Sequence, residues 1–405
     1  MQNTVNHGFD RLGIAPDFLR ILGQNNFIKP TPIQHQAILP AIEGKDIVGI
    51  AQTGTGKTLA FGLPMLQRLR GTSGNSIGLV VLPTRELAVQ VDEVLKVLGG
   101  SLGLATSILI GGEPMGRQLK SLYRRPNVVI GTPGRIMDHV QRGSLKLDLV
   151  RVIVLDEADR MLDIGFEPQI RKIFSLIPGE HQTMLFSATM PPEIIKIASA
   201  YMKSPVRIEV APSGTTAEHV DQEIYLVRKE ERILLLISLL EEHDGSVLLF
   251  TRTRHGASKV CKILKEMNYK AAEIHSDRSL IQRRAALSGF KSGEYRILVA
   301  TDIAARGIDV QGIKLVINFE LPDNVQDYVH RIGRTGRAGD SGRAVSFAMP
   351  DQQRDVREIE RLVRKEIPIK SHGGQTFDKP APSKGFGASS HLRTHWRRNR
   401  NRPRR

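Results

Sequence analysis

The chain has little cysteine and no long apolar run. Cys261 is the only cysteine among the 405 residues, which rules out a disulfide within the chain and favours a reducing compartment. Its apolar neighbours have helical spacing, so we expect a buried thiol without a chemical role. No apolar stretch approaches the roughly 20 residues of a membrane span, and the amino terminus lacks the features of a signal peptide. These absences indicate a cytoplasmic protein without a membrane partner.

Positive charge, in contrast, is abundant and unevenly distributed. The formal net charge is +16 at pH 7, and the segment from Ser371 onward holds two Lys and seven Arg against one Asp, a net +8. An excess of this size predicts a polyanion as the partner. The alternative is a solvated extension without a dedicated partner.

Short apolar runs alternate with longer amphipathic stretches along most of the chain. Continuous apolar strands separated by helices indicate α/β domains with parallel sheets covered by helices. The predicted strands are Ile47–Ile50, Leu79–Leu82, Val128–Ile130, Val152–Leu155, Met184–Phe186, Val247–Phe250, Ile297–Ala300, Leu315–Phe319 and Ala344–Phe347. Ligands of such sheets bind beyond the carboxyl ends of the strands.

Length and composition divide the chain into four segments. A chain of 405 residues is too long for one ordinary core. We predict two α/β domains, 1–210 and 218–367, joined by the small, polar linker 211–217. Residues 368–405 hold too few apolar residues to fold and are predicted to be a disordered basic tail.

A loop of phosphate-binding type follows the first predicted strand. It consists of Ala51, Gln52, Thr53, Gly54, Thr55, Gly56, Lys57 and Thr58. A strand, a glycine-containing loop and a helix amino terminus, in this order, are typical of a nucleotide-binding P-loop. Lys57 would supply charge to the β- and γ-phosphates, and the Thr58 hydroxyl can bind Mg²⁺. Because Ala51 replaces the usual first glycine, the loop alone predicts a nucleoside triphosphate ligand and no more.

Two carboxylates directly follow the predicted strand that ends at Leu155. Asp156 is placed to hold Mg²⁺, usually through water, and Glu157 to polarise the water that attacks the γ-phosphorus. The alternative is a charged turn that caps the next helix, which the P-loop upstream makes less favoured.

A segment of the second domain combines arginines with turn-forming glycines. Arg334 and Arg337 lie there within Arg331–Gly339. An arginine supplied from outside the P-loop domain stabilises the charge that builds on the γ-phosphate. The alternative is a basic surface loop that contacts only nucleic acid.

Together these segments resemble the DEAD-box family of ATP-dependent RNA helicases, over about residues 9–350, with the compact ends and basic tail of the bacterial RhlE-like branch. The motifs that carry the resemblance are Phe27–Gln34, Ala51–Thr58, Pro83–Ala88, Gly111-Gly112, Thr132–Arg135, Asp156–Asp159, Ser187–Thr189, Ala300–Asp309 and His330–Arg337. The resemblance implies two tandem RecA-like domains, with ATP and Mg²⁺ bound in the cleft between them. It also implies local, non-processive separation of RNA strands, and an active site that needs no second chain.

The resemblance assigns further residues to the nucleotide. Gln34 would read the adenine, because a side-chain amide can both donate to and accept from that base edge. Phe9 and Phe27 would lie near the base, and Thr31 would brace the P-loop together with Gln34. Asp309 would hold the ribose hydroxyls, with Gly307 close to the γ-phosphate, and Arg334 and Arg337 would be the arginine fingers. Asp159, Ser187, Thr189 and His330 would link nucleotide state to domain closure.

The resemblance places RNA across both domains. The implied contacts in the first domain are Pro83, Thr84, Arg85, Gly111, Gly112, Thr132 and Arg135, and those in the second are Arg252, Thr253, Thr301 and Asp302. Hydroxyls, backbone N–H groups and single arginines suit phosphate and sugar, so RNA should be bound without regard to its base sequence. Ribonucleoprotein or RNA-decay partners are compatible with this interpretation.

The sequence departs from the family pattern after His275. Ser276 and Leu280 stand where the family usually has glycine and glutamine, so the coupling of the second domain to the cleft is expected to differ. Two other functions stay open at this stage. One is a DNA-directed helicase or translocase, and the other is an RNA clamp that does not hydrolyse ATP. Glu157, Arg334 and Arg337 argue against the clamp, and Gln34 and the Asp156–Asp159 tetrapeptide favour RNA over DNA.

Overall fold

The computed structural model describes residues 8–52, 54–71, 76–177, 179–210, 220–305, 310, 312–336, 342–374 and 376–377. These residues form two parallel sheets of seven strands each, one per domain, with helices packed on them. No helix in these ranges has the length and apolar character that a membrane crossing requires.

The first domain begins with two helices and then alternates strands with helices. Its elements are α1 Pro16–Gln24, α2 Pro32–Ile42, β1 Ile47–Ile50, α3 Lys57–Arg70, β2 Ile77–Val81, α4 Arg85–Gly99, β3 Thr106–Leu109, α5 Met115–Tyr123, β4 Val128–Gly131, α6 Pro133–Gln141, β5 Val150–Leu155, α7 Ala158–Asp163, α8 Glu167–Ser175, β6 Gln182–Ser187, α9 Pro192–Tyr201 and β7 Val206–Glu209. Short 3₁₀ turns cover Gly100–Leu102 and Leu147–Leu149.

The strand order of the first sheet sets the positions of its loops. The order is β3-β4-β2-β5-β6-β1-β7, and every neighbouring pair is parallel. Side chains alternate between the two faces, so Val80 and Val154 belong to one hydrophobic cluster and Leu79 and Ile153 to another. Because all carboxyl ends lie at one edge, the loops after β4, β2, β5, β6 and β1 follow one another along it.

The second domain repeats the same arrangement. Its elements are β8 Val220–Leu226, α10 Arg232–Glu242, β9 Val247–Thr251, α11 Arg254–Glu266, β10 Ala271–Ile274, α12 Leu280–Lys291, β11 Ile297–Thr301, α13 Asp302–Ala305, β12 Leu315–Asn318, α14 Val325–Ile332, β13 Gly342–Ala348, α15 Gln353–Val363 and β14 Ile369–Ser371, with a 3₁₀ turn at Lys229–Glu231. The strand order is β10-β11-β9-β12-β13-β8-β14. Cys261 is buried in one of its hydrophobic clusters, and burial raises the pKa of the thiol to about 11.

The predicted tail boundary at residue 368 is too early. Ile369–Ser371 pairs with β8 in parallel register and extends the second sheet beyond residue 367. The pattern concealed this strand because all three of its residues are exposed at the edge of the sheet. Linker residues 211–217 and tail residues 378–405 lie outside the described ranges.

The two domains contact each other through buried ion pairs. Arg160 of α7 donates from Nη1 to Asp327 Oδ1 of α14 at 2.6 Å, and both side chains are largely buried. At a second contact, Arg283 of α12 lies 2.8 Å from the Glu86 carboxylate of α4, also buried. Since a buried charge is costly without its partner, these pairs favour the observed arrangement over other contacts between the domains.

Candidate active site and nucleic-acid cleft

The P-loop connects β1 to α3 and takes a backbone path that requires glycine. Gly54 and Gly56 have φ of 89° and 86°, in the left-handed region. A Cβ on Gly56 would also lie 2.3 Å from Gln34 Nε2, so a side chain there would displace the glutamine. Thr55 Oγ1 donates to Gln52 O at 2.7 Å, which fixes the turn. Helix α3 begins at Lys57, so its first N–H groups face the loop.

Gln34 ties the P-loop to the helix that precedes β1. Its Oε1 accepts from Thr31 N at 2.9 Å, and its Nε2 donates to Gly56 O at 3.0 Å. The amide therefore holds the loop in this structure, as expected of a bracing residue.

A cavity of about 350 Å³ lies at the P-loop. It is lined by Phe27, Gln34, Gly54, Gly56, Lys57, Thr58, Leu59, Leu87, Gln90, Val94, Asp156 and Glu157. Phe9, which was predicted to lie near the base, is fully buried in the hydrophobic cluster that also contains Leu59 and Leu87 of this lining, so its contact with the base stays a prediction.

Lys57 and the two carboxylates meet inside this cavity. Lys57 Nζ donates to Ala51 O at 2.9 Å and lies 3.9 Å from Asp156 Oδ1. Burial raises the pKa of Asp156 to about 6, against the opposing effect of Lys57. A cation would relieve this desolvated carboxylate, so Asp156, together with the Thr58 hydroxyl of the same cavity, fits Mg²⁺. Among the described residues, no group of three or more His, Cys, Asp or Glu side chains is placed to hold a metal ion.

Glu157 adopts a conformation that is costly for a residue with a side chain. Its φ and ψ are 53° and 50°, and it lies at the boundary between β5 and α7. A left-handed conformation at a non-glycine residue costs about 1–2 kcal/mol. The turn brings the Glu157 side chain, which is 4% exposed, into the lining of the cavity.

Asp159 links the carboxylate turn to the end of β6. Its Oδ2 accepts from Thr189 N at 3.0 Å and from Thr189 Oγ1 at 2.9 Å, and its backbone N–H donates to Ser187 Oγ at 3.2 Å. The structure therefore brings together three of the four residues predicted to couple nucleotide state to closure.

The fourth, His330, lies across the domain interface. Together with Arg160, Asp327 and Arg334 it lines a small cavity between the domains, and Arg334 is 4% exposed. Sequence reasoning missed Arg160 and Asp327. The only available signal was the position of Arg160 directly after the Asp156–Asp159 tetrapeptide.

Asp302, whose predicted contact with RNA stays a prediction, pairs with an arginine of the same domain. Arg331, which is 1% exposed, donates from Nε and Nη2 to the two oxygens of Asp302 at 2.5 and 2.6 Å. This bidentate pair fixes the arginine-rich segment at the interface. Thr53, Gly307, Asp309 and Arg337 lie outside the described ranges, so their predicted roles stay predictions.

A second cavity, of about 430 Å³, collects most of the RNA contacts predicted for the first domain. Its lining includes Pro83, Thr84, Arg85, Gly111, Thr132 and Arg135. The paired glycines allow the Arg85 guanidinium to approach, because a Cβ on Gly112 would lie 2.5 Å from Arg85 Nη1. Burial and the nearby Arg283 lower the pKa of Arg85, so an added anion would be favourable here.

The RNA contacts predicted for the second domain are not part of this lining. Arg252 pairs with Asp323 at 2.9 Å, Thr253 caps α11, and Thr301 ends β11. The residues of the second domain that line this cavity are Ser276 and Arg283.

Leu280, the residue that departs from the family pattern, packs across the interface. It is the first residue of α12 in the second domain, yet it is 4% exposed and belongs to the hydrophobic cluster of the first domain that includes Leu87 and Val91. An apolar contact between the domains therefore replaces the polar side chain usual at this position.

Comparison with known proteins agrees with this geometry. The DEAD/DEAH box helicase model matches residues 31–197, and the helicase conserved C-terminal domain model matches residues 228–339. The chain is 40% identical over 386 residues to the ATP-dependent rRNA helicase RRP3 of Debaryomyces hansenii, covering 95% of this chain and 79% of RRP3. It is 39% identical over 360 residues to the DEAD-box ATP-dependent RNA helicase CshA of Bacillus subtilis, covering 89% and 73% of the two chains.

The structural comparison extends to both domains together. S. cerevisiae Dbp5 bound to RNA and ADP BeF3 matches with a TM-score of 0.80 at 28% identity, over 90% of this chain and 95% of Dbp5. A score of this size over both domains requires two RecA-like units in a similar arrangement. With both helicase models matched in order and relatives covered over most of their length, the chain belongs to the DEAD-box family of ATP-dependent RNA helicases.

Proposed function

We propose that ATP binds in the P-loop cavity, that the RNA backbone binds in the cleft after β2 and β4, and that domain closure couples the two. The observation that carries this proposal is that the second domain contacts the first beside each site, through Asp327 after the carboxylate turn and through Arg283, which pairs with Glu86 in the RNA cleft. Asp159 joins the carboxylate turn to Thr189, and the next residue, Arg160, pairs with Asp327 of the second domain. A ligand that favours this arrangement at one site therefore tightens binding at the other.

In the ATP cavity, each charged side chain has one proposed role. Lys57 and the P-loop N–H groups hold the phosphates, Glu157 polarises the attacking water, and Arg334 stabilises charge on the γ-phosphate. Asp156 and Thr58 would hold Mg²⁺, which supplies further charge stabilisation when bound. Gly307, Asp309 and Arg337 are proposed in the roles that the family resemblance gives them.

The RNA side binds backbone and not base edges. The cleft offers the Thr84 and Thr132 hydroxyls and the Arg85 and Arg135 guanidinium groups, which suit phosphate and sugar oxygens. RNA held there is separated from its complement locally, without long-range translocation.

Steady-state ATP hydrolysis tests this proposal when it is measured without polymer, with single-stranded RNA and with DNA of the same sequence. We expect strong stimulation by RNA alone. Equal stimulation by DNA would support a DNA-directed enzyme, and tight RNA binding without stimulated hydrolysis would support a clamp.

The family branch, the cellular location and the partners are proposed from the sequence alone. The basic segment from Ser371 onward supports placement near the RhlE-like branch, and the single cysteine supports a cytoplasmic location. Ribonucleoprotein or RNA-decay complexes are the proposed partners, and a single chain supplies the whole active site.

Removal of residues 376–405 should weaken RNA binding and flatten its salt dependence, because the whole +8 charge counted from Ser371 onward is lost. Each lost phosphate contact lowers the slope of log affinity against log salt by about 0.7 for a single strand. Titrations of RNA at several salt concentrations measure the slope, while turnover at saturating RNA should stay nearly unchanged. An unaltered slope would contradict a tail that binds RNA.

Leu280→Ala should weaken closure, because it removes the apolar contact of α12 with the first domain. Deleting a buried leucine side chain costs about 2 kcal/mol at the low end of the usual range, which corresponds to an increase of about 30-fold in the RNA concentration for half-maximal ATPase activity. Ile281→Ala is the matched control, since the neighbouring Ile281 is 79% exposed. Equal effects of the two variants would show that Leu280 does not couple the domains.

A further inference from the structure

A third cavity, of about 380 Å³, lies on the first domain at the edge opposite to the ATP and RNA sites. Tyr123, Arg125, Asn127, Ser144 and Lys146 are among the residues that line it. They lie near the amino ends of β2 and β4, which begin at Ile77 and Val128, whereas the RNA cleft follows the carboxyl ends of the same strands. The cavity is therefore separate from the sites described above.

The segment that supplies most of this lining, including Arg125 and Lys146, has an excess of positive charge. Residues 120–151 hold Lys120, Arg124, Arg125, Arg135, Arg142, Lys146 and Arg151 against the acids Asp138 and Asp148. Of the seven cations, only Arg135, which lies in the RNA cleft, has a carboxylate within ion-pair distance among the described residues. Cations without local acids attract a polyanion.

An exposed aromatic ring lies beside these charges. Tyr123 ends α5 directly before Arg124 and Arg125 and is 82% exposed, the largest value among the exposed large hydrophobic side chains of the described residues. An exposed ring next to cations suits a nucleic-acid single strand, whose bases stack on aromatic faces while its phosphates meet the charges. An acidic peptide would use the charges alone, so the ring favours RNA.

We propose that this cavity is a second binding site for single-stranded RNA, with Arg125 and Lys146 on the phosphates and Tyr123 stacked on a base. The site would hold RNA without regard to its sequence, since stacking and charge are available to every nucleotide.

The position of this site relative to the RNA cleft is fixed by helix α6. This helix begins after Thr132 in the cleft and ends at Gln141, two residues before the cavity lining. Its nine residues span roughly 13 Å.

Hydrogen bonds also connect the two sites. Ser144 Oγ and His139 Nδ1 are 2.9 Å apart, and His139 Nε2 and Gln118 Oε1 are 3.3 Å apart. Gln118 Nε2 then donates to Ile110 O, next to Gly111 of the cleft, at 2.9 Å. A strand that leaves the cleft can therefore reach the second site only if it is long enough.

The dependence on RNA length provides the test. We compare Arg125→Glu/Lys146→Glu with Lys196→Glu/Lys291→Glu, a control with the same change in charge at exposed lysines of α9 and α12. Binding of full-length protein is measured by fluorescence polarisation with single-stranded RNAs of about 8 and about 25 nucleotides. We expect the first variant to bind the long RNA about tenfold more weakly, with a log–log salt slope reduced by about 1.4 for two lost contacts.

The short RNA separates this site from the cleft. The concentration of the short RNA that gives half-maximal ATPase activity should be the same in the variant and in the wild type, since the cleft is intact. Equal losses for the two RNAs, or a loss no larger than that of the control, would overturn the second site. Failure of the short RNA to stimulate ATP hydrolysis in any variant would count against the proposed function instead.

Tyr123 gives an independent measurement that does not depend on charge. Tyr123→Ala should weaken binding of the long RNA by about 5- to 150-fold, the value of one stacked base, whereas Tyr123→Phe should retain the affinity. The side chain is 82% exposed, so neither change should lower thermal stability. Wild-type affinity of the alanine variant, or an equal loss in the phenylalanine variant, would show that the ring does not stack on RNA.

Discussion

Replacing Arg334 with alanine is expected to lower RNA-stimulated ATP turnover by about 10³- to 10⁵-fold, the usual contribution of an arginine finger. Arg334 is 4% exposed and lies with Arg160 in the cavity between the domains, so closure places its charge beside the carboxylate turn of the first domain. The charge on the γ-phosphate grows in the transition state, and a fixed guanidinium stabilises it without reorganisation. Initial rates at saturating ATP and RNA measure the effect.

Two further substitutions test whether the loss of turnover comes from the Arg334 guanidinium group. Arg334→Lys keeps the charge but loses the planar fork, so it should recover only part of the rate. Arg254→Ala, which removes an arginine that is 53% exposed in the same domain, should leave turnover unchanged. A wild-type rate in Arg334→Ala would mean that the second domain supplies no charge to the reaction.

Buried strands of the two sheets were predictable because their residues are apolar on both faces. The nine predicted strands are all present, and Ile47–Ile50 has the predicted bounds. The strands that were missed have mixed patterns, as in Val206-Arg-Ile-Glu209 at one edge, where only Ile208 is fully buried. One exposed face breaks the apolar run, and alternation over four residues resembles a turn or a helix end.

The nucleotide site was predictable for a different reason, since its residues lie in short segments whose order implies their position. The P-loop and the Asp156–Asp159 turn meet because both follow parallel strands of one sheet. The contact of Arg160 with Asp327 spans 167 positions and depends on how two domains pack, which no local pattern encodes. Leu280 illustrates the same limit, because its departure from the family pattern was visible but its burial against the first domain was not.

The contacts between the domains explain how the ATP site and the RNA site influence each other. The Arg283–Glu86 pair lines the RNA cleft, whereas Arg160, directly after the Asp156–Asp159 turn, lines the small cavity between the domains together with Arg334. Each ligand therefore stabilises the contacts nearest to it, and both sets form in one arrangement. This explains how two separate cavities can respond to each other through rigid domains.

Glu157→Gln should lower RNA-stimulated ATP turnover by about 10²- to 10⁴-fold, the range for loss of a general base, while ATP and RNA remain bound. The amide keeps the size of the side chain and the left-handed turn at φ 53°, but it cannot accept the proton of the attacking water. Because closure persists without hydrolysis, the variant should release RNA more slowly in ATP than the wild type does. Single-turnover hydrolysis and RNA dissociation rates test the two effects, with the exposed Glu193→Gln as the control. Lys57→Ala should instead abolish the effect of ATP on RNA release, since Lys57 holds the phosphates. Wild-type turnover in Glu157→Gln would remove Glu157 from the reaction and leave the strained turn without a catalytic explanation.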